Sequence, residues 1–172
     1  MSQRPATALT LPSRCDTAVM TEVRHVITVT EETWIDRPPE VVFDLTQDYG
    51  RRTEWDRGIV AAAPIPGPAR AARVTVRGLG RMTVLYRLDR RPERTSAAFS
   101  DVDSAWITGG GGSWEYEPVN GGTRWRQTNS LELRRPRVTR FLAPLITAGL
   151  RRSMRRAMAE AKRRLEAEGA TT

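Results

Sequence analysis

Cysteine, histidine and lysine are nearly absent from this chain of 172 residues, and these absences exclude several classes of site. Cys15 is the only cysteine, so the chain has no intramolecular disulfide and no thiolate metal cluster. His25 is the only histidine, so a Ser-His-Asp triad would need His25 as its base, and a histidine-rich zinc site is excluded. The composition therefore predicts a protein without a metal site.

Nucleotide-binding motifs and membrane-spanning runs are missing as well. The Gly78-Leu79-Gly80 segment has no third glycine and no predicted helix after it, so it is not a dinucleotide-binding fingerprint. Gly109 to Gly112 lacks the Lys-Ser/Thr pair of a phosphate loop, and we expect either a hinge or flap near a cavity mouth or a floppy turn. No apolar run approaches the length of a membrane span. We therefore expect no cofactor, no integral membrane segment and a cytoplasmic location.

Positive charge is in excess, with a formal net charge of +8, and almost all of it comes from arginine, since Lys162 is the only lysine. A basic surface can attract nucleic acid or anionic lipid. The arginines are spread through every segment instead of forming one stripe. This pattern favours an ordinary solvated surface and predicts no nucleic-acid partner.

The start of the chain differs in composition from the rest. Residues 1–20 contain Pro, Ser, Thr and Arg but no signal-peptide hydrophobic region, and hydrophobic periodicity begins only near Val23. We expect residues 1–20 to form a disordered tail; the alternative is a targeting peptide, in which Asp16 would be the only acid. Residues 21–168 are predicted to form a single domain with a real core, and residues 169–172 a C-terminal tail.

The segment from Arg137 to Glu168 has the periodicity of one long amphipathic helix. At 1.5 Å per residue this helix would be roughly 45 Å long. No other segment is helical enough to pair with it, so its apolar side is expected to pack against a sheet and to leave a space between them. The predicted apolar stripe contains Val138, Phe141, Leu142, Leu145, Ile146, Gly149, Met154, Ala157, Met158, Ala161 and Leu165.

Most of the chain before that helix has the pattern of β-strands. Val23 to Ile35 is rich in β-branched residues and predicts a long first strand. A short helix is predicted from Val41 to Leu45, and a second helical turn from Arg51 to Trp55. Six strand-like runs follow, the last two of which flank the strong turn signal Asn120-Gly121-Gly122. This order of elements predicts an α+β protein.

A local motif accompanies this order of elements. It consists of Ile35 to Leu45 (IDRPPEVVFDL), then Asp48-Tyr49, then Glu54-Trp55-Asp56. Motif and order resemble the START-like (SRPBCC) superfamily, in particular its polyketide cyclase/dehydrase and lipid-transport group, over about Val23 to Glu168. The resemblance implies the helix-grip fold, in which a seven-stranded curved antiparallel sheet surrounds a long C-terminal helix, with two short helices after strand 1. It also implies a hydrophobic cavity between sheet and helix, and no particular reaction.

Strand alternation indicates which side chains face that cavity. In the last strand Arg124 and Arg126 must face water, so the residues of the other parity face inward. This buries the amides of Gln127 and Asn129, which cost about 1–3 kcal/mol if left without partners. They therefore bind other protein groups or water, or they orient a polar group of an apolar ligand. The predicted ligand-binding residues are Tyr86, Trp114, Tyr116, Trp125, Gln127, Asn129, Met154 and Met158.

Three functions are compatible with this pattern. The resemblance favours binding of a hydrophobic, polyketide-like or lipid-like small molecule. An enzyme of this kind would cyclise or dehydrate it, with Tyr86, Tyr116, Gln127 or Asn129 donating hydrogen bonds to carbonyl groups. No arginine and no His–Asp dyad is predicted to face inward, so no catalytic residue is assigned. The alternatives are a non-catalytic carrier that contacts an anionic membrane transiently through its basic helix face, and an interaction module of the chaperone-activator kind.

Overall fold

The computed structural model describes residues 25–67, 70–87, 94–134 and 136–169, except for the side chains of 86, 87, 136–138 and 140. The predicted tail at residues 1–20 lies outside the described residues, as do residues 170–172, whereas Gly169 belongs to the last helix. In chain order the elements are β1 (His25–Ile35), α1 (Pro39–Gln47), a 3-10 turn (Tyr49–Arg51), α2 (Arg52–Trp55), β2 (Ile59–Ile65), β3 (Ala71–Val76), β4 (Gly80–Arg87), β5 (Arg94–Asp103), β6 (Ile107–Val119), β7 (Gly122–Leu133) and α3 (Pro136–Gly169).

The seven strands form one antiparallel sheet in the order β1-β7-β6-β5-β4-β3-β2. Only the step from β1 to β7 joins strands that are far apart in sequence. The predicted hairpin of the last two strands is confirmed, since Val119 pairs with Gly122 across its turn. Asn120 and Gly121 have φ angles of 51° and 78°, the two positive values that a tight hairpin turn of this type requires.

The glycine tract is a strand and not a hinge, flap or turn, so the expectation for Gly109 to Gly112 was wrong. It lies inside β6, where Gly111 pairs with Ser130 on one side and with Ala98 on the other. A Cβ atom on Gly111 would come within 2.6 Å of the Ala97 carbonyl oxygen. The glycines therefore allow the neighbouring strands to approach closely where the sheet bends, which glycine in a strand interior commonly does.

The long C-terminal helix is confirmed as a single element of about 50 Å that continues through Pro144. Its second half buries Met154, Met158, Ala161 and Leu165 against the sheet. Its first half differs from the prediction, because Phe141 and Leu145 are 84% and 71% exposed.

Helical geometry explains why those two side chains are not buried. At 100° per residue, Phe141 and Leu145 lie on the same side of α3 as Arg152 and Arg156. The buried track runs instead through Ile146, Leu150 and Met154 in steps of four residues. The apolar stripe predicted for α3 combined residues from the buried side and from the exposed side of its first four turns.

The short helices close one end of the sheet. Trp55 at the end of α2 is fully buried, and its ring meets that of Trp125 edge-on at 5.9 Å between centroids. The segment before α1 is attached to the end of α3, since the Arg37 Nε donates to the Leu165 carbonyl at 2.9 Å and the Asp36 backbone N–H donates to a Glu166 carboxylate oxygen at 3.1 Å. The interior thus lies between the sheet, the two short helices and α3.

Candidate ligand-binding site

A cavity of about 110 Å³ lies between the inner face of the sheet and the middle of α3. The side chains on its wall belong mostly to the inward parity of the strands, as alternation along each strand requires. The apolar wall includes Val74, Met82, Val84 and Leu131 from the sheet and Leu150 and Met154 from α3.

The mouth of the cavity lies where β2 begins and where β3 turns into β4. Gly58, Leu79 and Ser153 line the cavity and are each partly exposed, whereas Val84 and Met154 deeper inside are buried. The volume is smaller than the roughly 300–1,000 Å³ of typical small-molecule sites. A ligand of more than a few carbon atoms must therefore widen the cavity, which the unbranched Met82 and Met154 side chains can accommodate by changing rotamer.

A buried arginine faces this apolar space, which the sequence did not predict. Arg52 is 6% exposed and lines the cavity from α2. Its Nη1 donates to the Thr46 carbonyl oxygen at 2.9 Å, and its Nε lies 3.6 Å from a carboxylate oxygen of Asp56, which also lines the cavity. A guanidinium has five N–H donors, so Arg52 keeps donors for a molecule in the cavity that it lines.

Aromatic rings hold the Arg52 guanidinium in place. Its central carbon lies 4.3 Å from the centroid of the Trp55 ring, 5.6 Å from that of Tyr49 and 5.9 Å from that of Trp114. A cation over aromatic faces is stabilised by their quadrupoles, and more strongly where water is excluded. The charge is therefore compensated by Asp56 and by the rings while part of the guanidinium stays directed into the cavity.

The predicted amides reach the cavity together with one indole. Gln127 is buried and Asn129 half-buried, both line the wall, and the Gln127 Nε2 lies 3.4 Å from the Asn129 Oδ1. Gly112 on the neighbouring strand leaves the room that Asn129 needs, because a Cβ there would come within 2.8 Å of that Oδ1. The Trp114 Nε1 is buried at the same wall and has no acceptor among the described residues.

Tyr116 faces inward as predicted but does not line the cavity. Its hydroxyl accepts a hydrogen bond from the Gln47 Nε2 at 2.7 Å and shares another with the Thr46 Oγ1 at 2.6 Å. Burial raises the pKa of the phenol above its usual value of about 10. The hydroxyl thus attaches α1 to the sheet, and Tyr116 is not among the residues that line the cavity.

Trp125 and Met158 are also inward-facing residues that the structure places away from the cavity wall. Trp125 is fully buried and stacks on Tyr116 with 6.4 Å between ring centroids, and Met158 is 2% exposed on α3. Trp125 fills the core beside Trp55 and Tyr116, and Met158 belongs to the same buried core. Alternation along a strand predicts only which face of the sheet a side chain lies on. It could therefore not distinguish residues that fill the core from residues that line the cavity.

Four of the eight predicted ligand-binding residues are therefore brought together at one cavity, namely Trp114, Gln127, Asn129 and Met154. Ligand contact by any of them stays a prediction. The Tyr86 side chain lies outside the described residues. The sequence prediction also missed Tyr49, Arg52, Asp56 and Ser153 at the wall. A four-residue helix is too short for a periodicity signal, and the only hint for Arg52 was an acid four residues later at Asp56.

Within the described part of the chain, no group of three or more His, Cys, Asp or Glu side chains is arranged to hold a metal ion. In the same residues, no helix combines the length and the hydropathy needed to cross a lipid bilayer.

A seven-stranded antiparallel sheet around one long C-terminal helix, with two short helices after the first strand and a cavity beneath the long helix, defines the START-like helix-grip class. Residues 26–166 match the family described as "Polyketide cyclase / dehydrase and lipid transport". The chain belongs to this family. The resemblance seen in the sequence and the predicted fold class are both confirmed.

Solved structures of the same fold come from several sources. TTHA0849 from Thermus thermophilus is 20% identical, with a TM-score of 0.69 over 83% of this chain and 99% of that one. The Zhui aromatase/cyclase from a Streptomyces species is 16% identical, with a TM-score of 0.67 over 84% and 99%. A START superfamily protein from Mycobacterium smegmatis is 12% identical, with a TM-score of 0.66 over 80% and 98%. No curated protein matched the sequence. At these identities the similarity shows the fold alone.

Proposed function

We propose that this protein binds a hydrophobic, polyketide-like small molecule in the cavity and promotes its cyclisation or dehydration. The observation that carries the proposal is Arg52, a buried guanidinium at the wall of an otherwise apolar cavity. A cavity that only stores an apolar molecule has no need of a charge at its wall. The family and the aromatase/cyclase structures of the same fold support this choice.

The proposed reaction uses the two charged groups of the wall. A carbon between two carbonyl groups loses a proton to Asp56, and the resulting enolate carbon attacks a second carbonyl carbon of the same chain. The new carbon–carbon bond forms while the electron pair of the attacked carbonyl moves to its oxygen, which takes up a proton. That proton is the one that Asp56 accepted, so Asp56 is again a carboxylate. Asp56 then removes the second proton from the carbon between the two carbonyl groups and passes it to the departing hydroxyl, which leaves as water and gives the dehydrated ring. Arg52 stabilises the negative charge on oxygen during both steps, as a fixed donor in a site of low polarity can.

The remaining polar groups of the wall would orient the substrate. Gln127, Asn129 and the Trp114 Nε1 lie at one side of the cavity and can donate to carbonyl groups of a bent chain. Tyr86 stays a proposed further contact. Holding a chain in one bent conformation and excluding water supplies much of what an intramolecular cyclisation requires.

The test compares two adjacent arginines. In Arg52→Gln the buried charge is lost, and in Arg51→Gln an exposed charge that pairs with Glu54 is lost, so the second variant is a control of equal charge. The probe is a β-diketone with a pentyl tail, whose enolate is followed by its ultraviolet absorption. We expect the bound diketone to ionise at a lower pH in the wild type and in Arg51→Gln than in Arg52→Gln. Equal ionisation in all three proteins contradicts the proposed role of Arg52.

Occupancy of the cavity is tested separately. Val84→Phe should fill the cavity from the strand side and abolish binding of both the neutral dye Nile red and the diketone. Native mass spectrometry of the wild type as purified should reveal a co-purifying apolar molecule. A protein that is repeatedly empty and binds no dye would instead support the interaction module.

A non-catalytic carrier is the second candidate, and one observation favours it. Phe141 and Leu145 are exposed on the same side of α3 as Arg152 and Arg156, so an anionic membrane could contact both the apolar and the cationic residues during loading. A carrier predicts that Phe141→Ser with Leu145→Ser slows transfer of an apolar ligand between anionic vesicles. It also predicts that the bound diketone ionises at the same pH in the wild type and in Arg52→Gln.

A further inference from the structure

A second depression adjoins the cavity on the outside of α3, and arginines from three separate elements line it. Arg57 follows α2, Arg77 follows β3, and Arg152 and Arg156 project from α3. We call this region, defined by these four arginines, the arginine cleft. Arg163 and Glu160 lie at its far end.

The four arginines of the cleft lack acidic partners. Within the described part of the chain, no hydrogen bond or ion pair engages the guanidinium of any of them. The arginines that precede Arg152 and Arg156 on the same helix do have an acidic partner, since Arg151 and Arg155 both contact Glu31, at 2.9 and 2.6 Å. Four cations held together without an acid repel one another, and an anion bound between them would relieve that repulsion.

The one acid in the cleft does not neutralise these arginines. Glu160 is bound by Arg163 at 2.6 Å and by Arg164 at 3.1 Å. These hydrogen bonds lower the pKa of Glu160 to about 2. Its charge is thus already compensated by residues outside the group of four.

Backbone contacts keep the two sides of the cleft close together. The Arg77 N–H donates to the Gly58 carbonyl at 2.8 Å, which joins the end of β3 to the segment after α2. Gly58 also approaches α3 closely, because a Cβ there would come within 2.9 Å of the Ser153 Oγ. These contacts fix the backbone from which Arg77 projects relative to the segment after α2 and to α3.

The arginine cleft and the cavity share part of their walls. Gly58, Ser153 and Ala157 line both. The two spaces therefore adjoin at these residues, and a molecule with an apolar part inside the cavity reaches the four guanidinium groups when the close contact between Gly58 and Ser153 opens. This arrangement of apolar hollow and cationic rim matches an amphiphile with an anionic head.

We infer that the arginine cleft binds the phosphate monoester group of an amphiphile whose apolar part occupies the cavity. The inference rests on the proposed ligand-binding function and adds the chemical class of the headgroup. Phosphate is preferred over carboxylate because it offers three acceptor oxygens and up to two negative charges to several guanidinium forks at once.

The test compares compounds that share one tail. Octyl phosphate, octanoate and octanol are titrated into the protein by calorimetry at about 0.05 M and about 0.5 M salt. We expect octyl phosphate to bind the wild type at least about tenfold more tightly than octanol, with octanoate between them, and the difference to shrink at high salt. Inorganic phosphate should compete weakly with octyl phosphate and leave octanol binding unchanged.

Two double variants of equal charge decide whether the cleft is responsible. Arg152→Ala with Arg156→Ala should remove the preference for octyl phosphate and keep the affinity for octanol. Arg151→Ala with Arg155→Ala should keep the preference, after correction for any lost stability. A preference that survives in the first variant overturns the inference.

The remaining outcomes separate this inference from the proposed function. Equal affinity of wild type for octanol and octyl phosphate overturns the inference and leaves the cavity as a binding site. If octanoate binds as tightly as octyl phosphate, the assignment of the headgroup as a phosphate is wrong. If inorganic phosphate binds as tightly as octyl phosphate, the assignment of the ligand as an amphiphile is wrong. If no octyl compound binds while the diketone still displaces Nile red from the wild type, the inference fails and the proposed function stands; if neither binds, both fail.

Discussion

One end of the interior is filled with side chains and the other end is hollow, although the same strands build both. The solid end contains Trp55, Tyr116, Trp125 and Met158, and the hollow end contains Trp114, Gln127, Asn129 and Met154 around the cavity. Tyr116 and Trp114 are two residues apart on β6, and Trp125 and Gln127 are two residues apart on β7. Residues of identical parity on one strand thus have different surroundings.

What separates the two ends is the cover above the sheet. Helix α1 packs on β6, β7 and α3 and fills the space over Tyr116 and Trp125. At the hollow end the cover consists of α3 and the edge of α2, whose Arg52 lines the cavity, and the space beneath them is left open. A strand thus determines which side chains point inward, whereas the helices determine whether those side chains contact other protein groups or a cavity.

Truncation at the solid end should have the largest effect on stability. Trp125→Ala is expected to lower the free energy of unfolding by about 3–5 kcal/mol, because a close-packed ring is removed and its neighbours cannot collapse into the gap. Met154→Ala at the hollow end should cost about 2 kcal/mol, the low end of the range for such truncations. Urea denaturation measures both. Equal losses at the two ends would remove the distinction between them.

The hydroxyl of Tyr116 should contribute the next largest effect and a pH dependence. Tyr116→Phe is expected to cost about 1–3 kcal/mol, because Thr46 and Gln47 lose their shared buried partner. Burial raises the pKa of Tyr116 in the folded protein, so the folded state keeps its proton at a pH where the unfolded state releases it. The ionisation of Tyr116 should therefore leave the free energy of unfolding unchanged below about pH 10 and lower it as the pH rises above that value.

Denaturation of wild type and Tyr116→Phe between neutral and strongly alkaline pH tests this sign. The variant should lack the part of the alkaline decline that comes from the phenol. Parallel declines in both proteins would mean that other groups cause it.

The paired amides at the hollow end should affect ligand binding more than stability. Gln127→Leu with Asn129→Leu is expected to weaken binding of the β-diketone by about tenfold, since donors to its carbonyls are lost, and to change the free energy of unfolding by only about 1 kcal/mol. Octanol binding serves as the control, because a single hydroxyl needs fewer donors. Unchanged diketone affinity together with a large change in stability would make the amides structural, like Tyr116.

An exposed ion pair gives the smallest effect and a baseline for the comparison. The hydrogen bonds from Arg163 and Arg164 lower the pKa of Glu160 to about 2. Its contribution to stability is therefore present above the usual carboxyl pKa and is lost as the pH falls toward about 2. Glu160→Gln should make acid unfolding slightly less steep in that range, and because the Arg163 partner is exposed the change should shrink further with added salt. A steeper acid transition in the variant has the opposite sign and contradicts this assignment.

Local patterns were enough to predict the α+β class, the final hairpin, the long helix and the inward face of β6 and β7. They failed where distant segments decide the outcome. The glycine tract of β6 has loop composition, yet pairing with β5 and β7 on both sides makes it a strand. Arg52 belongs to a helix of four residues, and only the packing of Tyr49, Trp55 and Trp114 around it directs its charge inward.

The sequence by itself determined which side chains of β6 and β7 point toward the interior and where the last helix lies in the chain, because the periods of strand and helix are set by the local backbone. Only the tertiary structure decided that Gln127 faces a cavity while Trp125 fills the core, and that Arg152 lacks the acid that Arg151 finds in Glu31. These outcomes depend on where α1, β1 and α3 lie across the sheet. Contacts between segments more than 100 residues apart are not encoded in any local period.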